Sequence, residues 1–312
     1  MSLRLTLPSF LALSLALVCQ TALAGPLLDK IKERRAERQP DSATTAPLEL
    51  PAGATLITDL AYGPAARERM DVYLPKQASN APVIFMVHGG AWRTGDKEAQ
   101  QVVANKVSRW VSQGFILVSA NYPLLPESKP LQQAEEVAKA LAMTQAKAPS
   151  WGGSANHVIV MGHSAGAHLV ALLAASPTLA AAQGAKPWLG TVALDSAALD
   201  VEKIMQARHM RFYDQAFGDD PAYWQQTSPN YVLANGAAPI LAVCSTRREV
   251  ACEQAQLFAN HGGAVGVSIS VLKQDMSHKE INQLLGTPGA YTDAVEAFMA
   301  SLDIDVAKRL HR

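Results

Sequence analysis

The chain has 312 residues, 49% hydrophobic and 17% charged, with 27 Lys+Arg balancing 27 Asp+Glu. A formal net charge of +0 and a pI near 7.1 exclude the basic footprint of a nucleic-acid binder, and 20 Gly and 18 Pro are too few for collagen-like or low-complexity chains. A chain of this length buries one large core, and open α/β sheets of this size form single domains.

Met1 to Ala24 carries one basic residue, Arg4, then an apolar run from Leu11 to Cys19, and ends in Ala22-Leu23-Ala24. This is the charge, apolar and small-residue order of a secretory signal peptide, so residues 1–24 are expected to be removed and the chain to be periplasmic or secreted. The run is short for a transmembrane span; a retained anchor is the alternative. Residues 25–51 read as a tether, in which Leu27 to Arg38 is helix-prone and basic, as a solvated helix face is. Loss of Cys19 leaves Cys244 and Cys252, an even pair in an oxidising compartment, and predicts a disulfide between them.

Residues 52–312 alternate strand and helix patterns. Leu56 to Tyr62 and Met70 to Leu74 read as an antiparallel strand pair, and Pro82 to His88 as a strand covered on both faces. Ala99 to Gln113 reads as a helix, Phe115 to Asn121 as a strand, Leu131 to Lys147 as a helix and His157 to Gly162 as a strand. Helix Ala165 to Ala175, strands Gly190 to Asp195 and Ile240 to Cys244, helix Cys252 to Asn260, strand Val267 to Leu272 and helix Tyr291 to Leu302 complete the series. The fold class is α/β, a mostly parallel sheet with helices on both faces. Between Leu199 and Val232 the chain is aromatic-rich and without a period, as lid-like insertions are.

Two motifs carry chemistry. Gly162-His163-Ser164-Ala165-Gly166 lies where a strand hands over to a helix, so Ser164 is forced out of the sheet edge on a tight turn. The helix that follows aims backbone N–H groups at any oxyanion formed there. His88-Gly89-Gly90-Ala91-Trp92 ends an earlier strand, and the N–H groups of Gly89 and Gly90 with that of Ala165 would form an oxyanion hole.

With NYPLLPE at Asn121 to Glu127, SPNY at Ser228 to Tyr231 and SHKEI at Ser277 to Ile281, these motifs resemble the α/β-hydrolase superfamily. The similarity is to its esterase/lipase branch, which includes carboxylesterases, feruloyl-type esterases and kynurenine formamidases. The resemblance runs from about Leu56 to Leu302. It implies the α/β-hydrolase fold and a serine nucleophile, an acid and a histidine base in that chain order. His278 follows the last strand by a short loop, where the family places its base.

The family usually carries an Asp shortly after the strand that here ends at Cys244, but CSTRREVAC contains none. Glu249 is its one carboxylate and is the expected acid, enclosed by the Cys244–Cys252 disulfide; Asp195 and Asp200 are the rivals. Trp92 and Tyr122 are expected on the substrate-pocket wall. The implied activity is cleavage of a small-molecule carboxylic ester through an acyl-enzyme on Ser164, with an arylformamidase or an inactive hydrolase-fold binding protein as alternatives. No cofactor, metal or nucleic acid is implied, no membrane span remains after signal cleavage, and the sequence leaves oligomeric state and acyl chain length open.

Overall fold

The computed structural model describes residues 48–310; the expected signal peptide and most of the tether lie outside them. Eight strands form one sheet in the order β1-β2-β4-β3-β5-β6-β7-β8. They are β1 Thr55–Ala61, β2 Arg69–Leu74, β3 Ala81–Val87, β4 Ile116–Ala120, β5 Gly153–His163, β6 Gly190–Leu194, β7 Ile240–Ser245 and β8 Ile269–Gln274. β2 is antiparallel to β1 and β4, and every pairing from β4 to β8 is parallel.

The apolar run of β3 shows why the sheet is central. All seven of its residues are buried. Val83, Phe85 and Val87 enter one core with Leu141 and Leu169, whereas Ile84 and Met86 enter the opposite core with Val103 and Trp110. A strand that feeds two cores has no polar face, and its sequence reads as one hydrophobic run.

The helices, in chain order, are α1 Gln100–Lys106, which continues as a π-helical turn through Val111, α2 Pro130–Lys147, α3 Ala165–Ala175 and α4 Pro177–Ala182. Next come α5 Val201–Gln206, α6 Arg211–Phe217, α7 Pro221–Gln226, α8 Glu249–Val265, α9 His278–Gln283, α10 Ala290–Leu302 and α11 Ile304–Leu310. Every residue of α3 is buried, which a helix apolar on all sides requires. No helix among the described residues is long and apolar enough to cross a membrane.

The structure departs from the sequence expectation in several elements, among them α4 and α11, which the pattern did not mark. The 199–232 insertion contains α5, α6 and α7, each of six or seven residues, too short for a 3.6-residue period to register. α8 starts at Glu249, three residues before Cys252. α9 was not expected, although Ser277 and Glu280 form a capping box at its start. The Cys244–Cys252 disulfide is present and ties the end of β7 to the first turn of α8.

Candidate active site

Ser164 sits between β5 and α3 with φ 55° and ψ −117°, a strained conformation of the kind that costs about 1–3 kcal/mol and persists where the surroundings enforce it. The tight turn needs small neighbours. A Cβ on Gly166 would fall 2.4 Å from the carbonyl oxygens of Val87 and His88. A Cβ on Gly89 would lie 2.9 Å from the Ser164 Cβ, so the backbone of the HGG turn runs directly against the serine. Ala165 is the first residue of α3, where N–H groups have no intrahelical acceptor. Gly90 follows with φ 116°, and its carbonyl accepts the N–H groups of Arg93 and Thr94.

His278 opens α9, and its Nε2 is 2.9 Å from Ser164 Oγ. Its Nδ1 is 2.6 Å from Asp195 Oδ2. An ionised carboxylate only accepts, so Nδ1 carries the proton and Nε2 is left to accept from the serine hydroxyl.

Asp195 follows β6 with φ 58° and has no exposed surface. The Ser245 N–H donates to its Oδ1 at 2.8 Å, and Arg248 Nη1 donates to its Oδ2 at 2.6 Å. Burial alone would push the carboxyl up; the Arg248 charge and the His278 hydrogen bond outweigh it and hold Asp195 well below the usual carboxylate range.

The expected acid, Glu249, is not at this site. It is the exposed first residue of α8 and lines a surface groove with Thr246, Glu253 and Lys273. The turn after β7 places Ser245 N–H and Arg248, a donor and a cation, against the buried side, where a carboxylate already stands. Asp200 is also elsewhere: it caps α5 by accepting from Lys203 N–H.

Tyr122 is corrected as well. It is fully buried rather than on a pocket wall; its ring stacks on His88 at 4.6 Å and its hydroxyl donates to the His88 carbonyl. Arg67, which the sequence did not single out, donates to the carbonyls of Tyr122 and Gly95 and to Asn121 Oδ1, bracing the same turn from behind. Trp92 is 3% exposed, donates to His168 Nδ1 at 3.2 Å and packs against Phe212, Tyr213 and Phe217. The insertion therefore reaches the residue that follows the Gly89-Gly90-Ala91 turn. Arg248, which in the sequence reads with Arg247 as a surface ion-pair partner for Glu249, instead faces Asp195.

Two groupings of metal-capable side chains occur among the described residues, and neither includes Ser164, Asp195 or His278. One is His157 with Asp303 and Asp305; the other is Asp59, Asp71 and Glu98, whose carboxylates converge on the Lys97 ammonium.

Esterase LipQ of Mycobacterium tuberculosis is 30% identical over 205 residues, 61% of this chain and 48% of that protein. Esterase LipC of the same organism is 27% identical over 223 residues, 66% of this chain and 55% of LipC. The chain thus spans about half the length of these curated relatives. Esterase B from Lactobacillus rhamnosis superposes with a TM-score of 0.67 at 19% identity, over 93% of this chain and 96% of that one, so the fold is that of an α/β-hydrolase. Residues 70–261 match the BD-FAE family, and with more than half of its length covered the chain belongs to that family.

Proposed function

We propose that this protein is an exported serine hydrolase that cleaves carboxylic esters through an acyl-enzyme on Ser164. The observation that carries the reading is the unbroken relay from Ser164 Oγ to His278 Nε2 at 2.9 Å and from His278 Nδ1 to Asp195 Oδ2 at 2.6 Å. His278 takes the hydroxyl proton as Ser164 attacks the acyl carbon, and the carbonyl oxygen becomes an oxyanion facing the N–H groups of Gly89, Gly90 and Ala165. Collapse of that intermediate expels the alcohol, which receives the proton from His278. Water, deprotonated by the same imidazole, then releases the acid and restores Ser164. Asp195 keeps the imidazole in the required tautomer and stabilises its cationic form.

The naming of LipQ and LipC as esterases supports ester substrates. Export is supported by the signal-like segment ending at Ala24 and by the Cys244–Cys252 bridge, since disulfides persist in oxidising compartments. The test is hydrolysis of p-nitrophenyl esters from acetate to palmitate by the chain and by Ser164→Ala. Turnover that disappears in the variant establishes the reading. No turnover at any length, with no labelling of Ser164 by a fluorophosphonate, overturns it. Sequencing the amino terminus of the protein recovered outside the cytoplasm tests export.

A further inference from the structure

Arg248 is built into the His278–Asp195 pair more closely than a surface counter-ion would be. Its Nη1 lies 2.6 Å from Asp195 Oδ2, 3.1 Å from the Asp195 carbonyl oxygen and 2.9 Å from His278 Nδ1. Two donors, the Arg248 N–H and the His278 Nδ1–H, therefore share one carboxylate oxygen. The guanidinium is mostly buried, with 15% of its side chain exposed, and Asp195 is wholly enclosed. A fixed positive charge this close to an imidazole opposes the second positive charge that the imidazole acquires each time it takes the serine proton.

The other groups around His278 do not duplicate that charge. His163 on β5 lies tilted against the His278 ring, its pKa held well below the usual imidazole value by burial, and among the described residues Asp195 is the buried carboxylate in contact. Arg247, Asp275 and Glu280 form exposed ion pairs with one another in front of α9. Behind it, Lys106 is occupied by Asn282 and the Tyr291 hydroxyl by the Ile281 carbonyl, and Lys279 follows His278 on α9.

We propose that Arg248 is a positioning residue that fixes Asp195 and sets the charge balance of the His278–Asp195 pair on which His278 relies as base. Its effect on turnover rests on the serine-hydrolase reading; its effect on the imidazole does not. Asp195 with Arg248 and His278 forms a cation–carboxylate–imidazole cluster of net charge zero, so the buried carboxylate is balanced even while the imidazole is neutral. Without Arg248, that balance would require a proton taken up by the Asp195–His278 pair.

The experiment is an NMR titration of the His278 ring in the full chain, in Arg248→Gln and in Arg248→Lys, with the signal assigned through His278→Gln. The kcat/KM profile for p-nitrophenyl acetate is recorded from the same samples. In Arg248→Gln the midpoint of the His278 titration is expected to rise by about one pH unit, equivalent to about a tenfold loss of neutral imidazole on the acid side. Arg248→Lys keeps the charge and is expected to keep the midpoint. The acid limb of kcat/KM follows the same shifts. An unmoved midpoint in Arg248→Gln, or equal shifts in both variants, overturns the proposal, because a purely structural role lowers the rate at every pH alike. Arg248→Met supplies a second neutral variant should Arg248→Gln fail to fold. Absence of turnover and of Ser164 labelling in the parent chain would count against the hydrolase reading alone, since the imidazole titration is read without catalysis.

Discussion

The ring of His163 lies 4.5 Å from the ring of His278, and its Nε2–H donates to the His278 carbonyl at 3.0 Å. One strand end therefore positions both residues: β5 delivers Ser164 directly and, one residue earlier, holds the main chain of His278. The contact itself favours a protonated ring, but the surroundings oppose the charge. Burial first, and the neighbouring His278 second, keep its pKa well below the usual imidazole value. His88 before the Gly89-Gly90 turn and His168 under Trp92 are likewise pushed down to about 4 by burial.

These three histidines make the fold acid-sensitive. Each has a native pKa below its unfolded value of 6.5, so the unfolded chain binds a proton that the native chain refuses. Stability is therefore fully present above pH 6.5 and is lost as pH falls toward 4, with a slope of up to about 4 kcal/mol per pH unit for three groups. Urea unfolding at pH 7.5, 6 and 5 reads this directly. A free energy that stays level over that range would contradict the assignment.

Asp195→Asn keeps the shape of the acid but lets the imidazole adopt the wrong tautomer, and is expected to lower kcat by on the order of 10⁴. Glu249→Gln alters an exposed residue at the start of α8 and is expected to leave kcat within about twofold, as surface changes do. The pair is measured with p-nitrophenyl acetate at pH 8. The opposite ranking would return the acid to the loop after β7.

That contrast marks how far the sequence reaches. The β3 run, the serine turn and the histidine after β8 are local signals: a strand buried on both faces, glycines at a tight corner, a base on the loop past the last parallel strand. The acid is not local. Asp195 is 83 residues from His278, and its selection depends on the turn after β6 that carries it and on the Ser245 N–H and the Arg248 charge, both supplied by the end of β7 and the turn beyond it. A loop with one carboxylate between two cysteines invites the choice of Glu249; only the path of the chain shows that it offers the carboxylate to solvent and the arginine to the site. Tyr122 failed for a related reason, since an aromatic next to a site motif reads alike whether it faces substrate or props the turn.

Gly89→Ala places a methyl group 2.9 Å from both the Ser164 Cβ and the His163 carbonyl oxygen. Backbone must shift to admit it, which moves an oxyanion donor away from the acyl oxygen. Removing one such donor is worth about 10²–10³ in kcat. The expected result is a loss of that size, with a smaller change in KM and a stability decrease of about 1–3 kcal/mol from overpacking. Steady-state kinetics and a thermal melt on the same preparation separate the two effects; an unchanged kcat would place the oxyanion donors elsewhere.

The disulfide encloses the segment that presents the Ser245 N–H and Arg248 to Asp195, with Cys244 at the end of β7 and Cys252 in the first turn of α8. The Ser245 hydroxyl also donates to the Met276 carbonyl at 2.5 Å, tying that segment to the loop before His278. Opening the bridge frees a short loop, which the chain-entropy treatment values at about 2–3 kcal/mol of stability. Its larger consequence is for orientation, because two of the three hydrogen-bonding groups that fix the Asp195 carboxylate ride on that loop. Cys244→Ala/Cys252→Ala is therefore expected to lower kcat as well as stability. Adding Arg248→Gln to it should cost less activity than in the bridged chain, since residues that serve one contact network are not additive. Full additivity in this double-mutant cycle, read from kcat at pH 8, would mean that the bridge and Arg248 act independently.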